Sequence, residues 1–225
     1  SKLEDLGLNS WQLRTLFALK KCRTSALGGH IDACDECGNI SISYNSCRNR
    51  HCPKCQGRNR EDWIQTRETE LLPVPYFHVV FTLPEVLNKT ALHEPKMLYD
   101  ILFESAWETL QTFGKNKNLQ MGMIAVLHTW GQNLSLHPHL HCIVPGGGVD
   151  ENGAWKNIKN DGKFLFSVKA LSKVFRAKFC EKLKANLKDK FNENQENEYE
   201  KIRQSLWEKP WVVYAKKPFG SPKSV

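Results

Sequence analysis

Two hydrophobic periods run through this chain, and the switches between them mark out its elements. From Ser10 to Lys21, Trp11, Leu13, Leu16, Phe17 and Leu19 form an irregular apolar face that predicts an amphipathic helix. A second helix is predicted from Arg60 to Leu72, closed by Pro73 and Pro75, because proline disfavours helical geometry in the residue before it. Tyr76 to Leu83, YFHVVFTL, is β-branched and aromatic and reads as a buried strand ended by Pro84. Ala91 to Lys115 predicts one helix with Leu92, Leu98, Ile101, Leu102, Ala106 and Leu110 inward. Met121 to Thr129 and His139 to Val144 predict strands joined through Gly131 to His137, and Gly146-Gly147-Gly148 reads as a turn. Ser167 to Phe191 repeats Val168, Leu171, Val174, Phe175, Phe179, Leu183 and Leu187 at helical spacing, with lysines largely between them. The acid-rich Glu193 to Glu200 continues as helix or exposed loop, and Trp211 to Ala215 predicts a last strand. With adjacent strands antiparallel, the expectation is an α+β fold, an antiparallel sheet with packed helices behind a small N-terminal module.

That module cannot be held by apolar burial. Between Cys22 and Cys55 large apolar side chains are scarce, while Cys, Gly, Asn and Arg abound. Cys34-Asp35-Glu36-Cys37-Gly38 and Cys52-Pro53-Lys54-Cys55 are two C-x-x-C knuckles separated by fourteen residues. Paired knuckles predict one tetrahedral zinc site of the zinc-ribbon kind, with Cys34, Cys37, Cys52 and Cys55 as its ligands. Cys22, His30, Cys47 and His51 lie in the same segment and offer a second Cys2His2 set, or else serve as buried thiols and hydrogen-bonding imidazoles.

Charge then narrows the partners. The chain has 225 residues and a net charge of +8, from 32 Lys and Arg against 24 Asp and Glu, and the excess is local. Arg48, Arg50, Lys54, Arg58 and Arg60 crowd into Ser46 to Arg60 without an acid, and Lys156 to Lys190 is also strongly basic. Localised positive charge points to a polyanion, with nucleic acid leading, and makes Arg48, Arg50, Arg58 and Arg60 candidate DNA contacts. Trp130, Trp155 and Phe164 are candidate stacking surfaces for unpaired bases. No apolar run is long enough for a bilayer, so no membrane partner and a cytoplasmic location are expected. The chain opens at Ser1 without Met and stops soon after its last strand-like segment, so the C-terminal domain is expected to be incomplete.

The densest chemistry is Ser135-Leu136-His137-Pro138-His139-Leu140-His141-Cys142-Ile143-Val144-Pro145. On a strand, alternate side chains share a face, so His137, His139 and His141 would project together while Leu140, Cys142 and Val144 fill the other side. That arrangement presents imidazoles to a divalent metal.

The segments CRTSALGGHIDACDECG, YNSCRNRHCPKCQ, LLPVPYFHVVFTLP, HTWGQNLSLHPHLHCIVPGGG and WVVYAKKPFG together resemble the rolling-circle insertion-sequence transposases of the IS91 type, members of the HUH endonuclease superfamily. The resemblance covers nearly the whole chain. It implies a zinc-binding, DNA-binding module over 1–72 and an HUH domain over 76–225. In that superfamily two histidines flank one hydrophobic residue, here His139-Leu140-His141, and hold Mg²⁺ or Mn²⁺ against the scissile phosphate of single-stranded DNA at transposon ends. Gln132 is the candidate third ligand, with His128 and His137 as rivals. The implied reaction is cleavage and joining through a phosphotyrosyl intermediate. None of Tyr44, Tyr76, Tyr99, Tyr199 and Tyr214 stands in the context of the family nucleophile, and Tyr214 reads as a packing residue, so this chain alone is expected to bind DNA and metal without cutting. Two other readings use the same residues: a zinc-ribbon DNA-binding protein without chemistry, and a histidine-triad nucleotide hydrolase.

Overall fold

The computed structural model describes residues 7–131, 133, 135–158, 165–187, 202–216 and 218–219. The chain divides into two compact units, 1–71 and 72–225.

In the first unit, helix α1 (Ser10–Lys21) starts from a reciprocal cap. The Asn9 side chain accepts from the Gln12 N–H and the Gln12 side chain accepts from the Asn9 N–H, each at 2.9 Å, satisfying two donors that a helix start leaves unpaired. Strands β1 (Gly29–Ala33) and β2 (Ile40–Tyr44) form an antiparallel hairpin with Ile31 opposite Ile42. Helix α2 (Pro53–Glu70) begins seven residues before the expected Arg60, with Cys52 as N-cap and Pro53 in its first turn. Proline is well suited there, since its missing N–H would have no helical partner. Among the described residues of this unit, Cys22 and Cys52 are the buried ones.

The second unit is built on a four-stranded antiparallel sheet in the order β5-β6-β3-β9: β3 (Tyr76–Thr82), β5 (Ile124–Trp130), β6 (Leu136–Pro145) and β9 (Val213–Ala215). Phe77, Val79 and Phe81 of β3, Leu140, Cys142 and Val144 of β6 and Val213 of β9 are buried in one apolar cluster with Leu98, Leu102 and Leu110 of helix α4 (Pro95–Lys115) and Leu171, Phe175 and Phe179 of helix α5 (Val168–Leu187). The expected helix from Ala91 is two: α3 (Asn88–His93) breaks at Glu94, the residue that Pro95 keeps out of helical geometry. Leu92, expected inward, is 69% exposed on α3. The expected glycine turn is also corrected. Gly147 and Gly148 belong to β7 (Gly147–Val149), which lies between β4 (Gln120–Met121) and β8 (Trp155–Asn157). There a Cβ on Gly147 would strike the Lys156 carbonyl and one on Gly148 the Gln120 carbonyl. A short helix covers 202–208. The end of the expected basic helix, the Glu193 to Glu200 stretch and Phe164 lie outside the described residues.

Candidate metal centres

Among the described residues the core-forming helices pack on one face of the sheet, and the second face stays partly exposed. Directly opposed residues in antiparallel strands share a face. By register, the uncovered side carries His78 and Val80 of β3, His139, His141 and Ile143 of β6, Val126 and His128 of β5, and Tyr214 of β9. His128 sits directly opposite His139. One nitrogen from each of His128, His139 and His141 falls within 4.8 Å of the others, a spacing that suits one ion.

Two contacts, one to a backbone carbonyl and one to another imidazole, orient these rings. His139 Nδ1 lies 2.6 Å from the His137 carbonyl, and His141 Nδ1 lies 2.7 Å from His78 Nε2. With Nδ1 donating in each case, the Nε2 atoms are left to coordinate; an outer hydrogen bond of this sort fixes tautomer and ring direction in metal-binding histidines. Burial, followed by the neighbouring His128 and His139, pushes the His141 imidazole down to about 4, so it is neutral at physiological pH, as a ligand must be.

His137, expected alongside, is exposed and stands outside the three-histidine group. Its displacement has a local cause. Strand β5 advances two residues between His128 and Trp130 while β6 advances three between Leu136 and His139, so a bulge falls where Pro138 supplies no ladder N–H. Gln132 lies outside the described residues. Sequence reasoning passed over His78, although a lone imidazole between Phe77 and Val79 on an otherwise apolar strand was the available signal. Tyr214, expected to pack, is instead 51% exposed on the open face.

The cysteines regroup as well. The sulfurs brought within 4.8 Å of one another are those of Cys22, Cys47, Cys52 and Cys55. Cys22 to Cys55 is 3.5 Å and Cys47 to Cys55 is 3.6 Å, close to the separation of about 3.8 Å that four Zn–S bonds of ~2.3 Å impose on a tetrahedron. The Cys47 N–H also points at the Cys22 sulfur, 3.5 Å away. Burial alone would raise the Cys55 thiol, yet hydrogen bonds from Cys22, Cys47 and Cys52 outweigh it and bring it to about 6. At Cys47 the Asn49 N–H favours the thiolate, but burial and the Cys22, Cys55 and Cys52 sulfurs push it up to about 12. Such opposed shifts belong to thiols gathered around one point.

Among the described residues the two expected knuckles are not brought together. Cys34 and Cys37 are exposed at the tip of the β1–β2 hairpin, in a turn where Gly38 N–H bonds the Cys34 carbonyl at 2.8 Å with Gly38 at φ +65°. The Cys34 thiolate is favoured chiefly by the Cys37 and Glu36 N–H groups, but the pair is not among the grouped donors. Nor do the expected Cys2His2 companions converge: His30 is exposed 3.6 Å from Asp32, and His51 stands edge-on to Trp11. Arg48 and Arg50 occupy the loop between Cys47 and Cys52, whereas Arg58 and Arg60 lie exposed along α2, Arg58 within 4.0 Å of Asp62. Trp130 is exposed at the end of β5, and Trp155 donates to Asn157. No described helix is long and apolar enough to cross a membrane.

Residues 2–83 match the family described as "Transposase zinc-binding domain", and residues 122–225 match the one described as "Putative transposase". The protein described as "Putative transposase y4qJ" of Sinorhizobium fredii (strain NBRC 101917 / NGR234) is 42% identical over 235 residues, which take in 100% of this chain and 59% of y4qJ. The transposase for insertion sequence element IS801 of Pseudomonas savastanoi pv. phaseolicola is 35% identical over 158 residues, 69% of this chain and 38% of that protein. The chain thus spans 59% and 38% of the lengths of these curated relatives. Among solved structures, TrwC complexed with a 27-mer DNA comprising the recognition hairpin and the cleavage site is similar over 48% of this chain and 44% of that one, at 16% identity and TM-score 0.37. The metal-bound structure of the conjugative relaxase TrwC with OriT DNA is similar over 49% and 43%, at 13% identity and TM-score 0.35.

Proposed function

We propose, for a chain that belongs to the IS91-type transposase family, that residues 72–225 form the metal-binding half of a single-strand DNA cleavage and joining site, and that residues 1–71 are a zinc-stabilised DNA-binding module. The observation that carries this reading is the convergence of His128, His139 and His141 on the open face of the sheet. Of the expected third ligands, His128 is the one grouped with His139 and His141, while Gln132 lies outside the described residues. Of Mg²⁺ and Mn²⁺, the softer Mn²⁺ suits an all-imidazole donor set better, because Mg²⁺ demands oxygen ligands and keeps its waters. A divalent ion there supplies Lewis-acid polarisation of the scissile phosphodiester. The chain's own contribution is to hold three imidazoles in place, with the His137 carbonyl and His78 fixing two of them. The substrate is single-stranded DNA at the ends of a mobile element.

The reaction is attack of a tyrosine oxygen on phosphorus with departure of the 3′ oxygen, leaving a 5′-phosphotyrosine and a free 3′-OH. We assign that oxygen to none of the described tyrosines, Tyr44, Tyr76, Tyr99 and Tyr214; Tyr199 lies outside the described residues. Tyr76 is buried with its hydroxyl accepting from the Leu72 N–H, Tyr99 is partly buried on α4, and Tyr44 belongs to the hairpin of the first unit. Tyr214 shares the open face, but β3 intervenes between β9 and β6, putting two strand spacings of about 4.8 Å between it and His141.

Titration of the purified chain with Mn²⁺, followed by electron paramagnetic resonance, tests the site. The chain should bind one ion at the sheet, and His139→Ala, His141→Ala and His128→Ala should each abolish it; unchanged binding in all three would sink the reading. Incubation with an oligonucleotide carrying a scissile element end should leave no protein–DNA adduct on this chain. An adduct would overturn the assignment of the nucleophile elsewhere.

A further inference from the structure

Within residues 1–71, a cavity of about 480 Å³ is lined by Trp11, Arg14, Thr15 and Ala18 of α1 and by Arg48, Asn49, Arg50 and His51 of the loop before α2. We infer that this groove holds one nucleotide of single-stranded DNA, its base against the Trp11 indole and its phosphates against Arg14, Arg48 and Arg50. The inference rests on the DNA-binding reading above and gives it a place, adding α1 to the arginine-bearing loop.

The lining sets the ligand class. It carries three guanidinium groups and no carboxylate, the electrostatics of a phosphate site, and guanidinium forks match phosphate oxygens in pairs. It also carries an indole that is 56% exposed and so accessible to a flat partner. Trp11 is braced from one side, with His51 edge-on at 5.8 Å between ring centroids and 89° between planes. Arg50 Nε in turn lies 3.3 Å from His51 Nε2, so the arginine and the aromatic pair form one contiguous group. A duplex presents its phosphates but keeps its bases stacked inside, whereas an unpaired base offers the face that an exposed indole can take. The volume lies within the range of about 300–1,000 Å³ usual for small-molecule sites.

The groove is also preset by the cysteine tetrad. Its loop is bracketed by Cys47 and Cys52, and α1 runs directly into Cys22, so three of the four sulfurs anchor the two walls. Inside the loop Arg48 takes φ +50°, the Asn49 side chain accepts from the His51 N–H at 2.8 Å, and the Cys52 N–H bonds the Asn49 carbonyl at 3.0 Å. These bonds hold a backbone shape that a solvated charge run would not need.

Anisotropy of a labelled oligothymidylate, and of a duplex of equal length, measured with the whole chain decides the matter. Trp11→Ala should weaken single-strand binding roughly tenfold, the loss of one base–aromatic stack, while Trp11→Phe keeps most of it. Arg14→Ala and Arg50→Ala should each lower the slope of log K against log salt by about 0.7, one phosphate contact apiece. Zinc content equal to that of the parent chain certifies that each variant is folded. If the parent chain binds no oligonucleotide, both this inference and the DNA-binding reading fall. If it binds and the Trp11 and Arg14 variants match it, or if only duplex affinity changes, the groove proposal alone is overturned.

Discussion

In residues 72–225 a continuous apolar cluster backs the sheet from Phe77 to Val213, whereas in residues 1–71 the buried side chains among those described are Cys22 and Cys52. The hairpin of the first unit even exposes its isoleucines, Ile31 by 69%, Ile40 by 65% and Ile42 by 61%. Apolar area removed from water stabilises the second unit. The described part of the first has almost none to remove, and four sulfur–metal bonds at the cysteine tetrad would substitute for a core. The contrast teaches that the two units should fail under different insults.

The largest expected effect follows directly. Structural zinc contributes on the order of 10–16 kcal/mol to small metal-bound modules, so a strong chelator, or Cys47→Ser, should unfold residues 1–71. Hydrogen exchange should then show lost protection in α1 and α2 with protection retained in β3 and β6. Persistent protection in α2 after zinc is stripped would mean that the first unit has another source of stability.

The converse insult is a cavity. Phe81 is fully buried and packs against Phe175 with 4.9 Å between ring centroids, so Phe81→Ala should destabilise the second unit by about 3–5 kcal/mol in urea unfolding. Ile42→Ala, on the open hairpin, should change stability by no more than about 0.5 kcal/mol. Equal costs at the two positions would erase the distinction.

A finer effect lies between fold and site. His78 touches the metal centre only through His141, so it is a positioning residue. His78→Ala should lower Mn²⁺ affinity by roughly 10–100-fold, the usual cost of an outer-sphere partner, with chain stability nearly unchanged. His78→Gln, whose amide oxygen can accept the same hydrogen bond, should recover part of the loss. If Ala and Gln behave alike, the ring contact is packing rather than orientation.

How far such sites could be read from the sequence depended on whether local periodicity or long-range topology decides them. Alternation along β6 was enough to place His139 and His141 opposite Leu140, Cys142 and Val144, all three of them fully buried. The helix over Ser10 to Lys21 was equally legible, being set by its own cap and face. His128 and His78 reach the site only because β5 and β3 flank β6, a pairing that no local pattern encodes. The sulfurs show the same limit. Spacing identified two knuckles, but which four cysteines meet depends on how α1, the hairpin and α2 are arranged, and Cys22 enters from a distance of 33 residues to Cys55. Pro95 could have flagged the break between α3 and α4, since the rule is local, but the apolar face runs on across it.

A small electrostatic effect concerns the seam between α4 and α5, where Lys182 lies 2.8 Å from Glu108 and 3.1 Å from Glu104, and Lys178 lies 3.5 Å from Glu108. The hydrogen bond from Lys182, opposed by modest burial, holds the Glu108 carboxyl below its ordinary range, and Glu108 with Glu104 raises Lys182. A carboxyl whose folded pKa is depressed adds stability above its unfolded value, about 4.3, and loses it as pH falls through the folded one. The raised Lys182 adds stability below its unfolded value and loses it as pH rises through the folded one. The pair therefore helps across the neutral range and fades at both extremes. Because Glu108 is 42% exposed, solvent screens it, and Glu108→Gln should cost at most about 1 kcal/mol. Urea unfolding around pH 7 should show that difference, and around pH 3 it should shrink toward zero as the parent carboxyl gains its proton. A cost that survives in acid would locate the role of Glu108 in packing between the helices, and so with the apolar core rather than with charge.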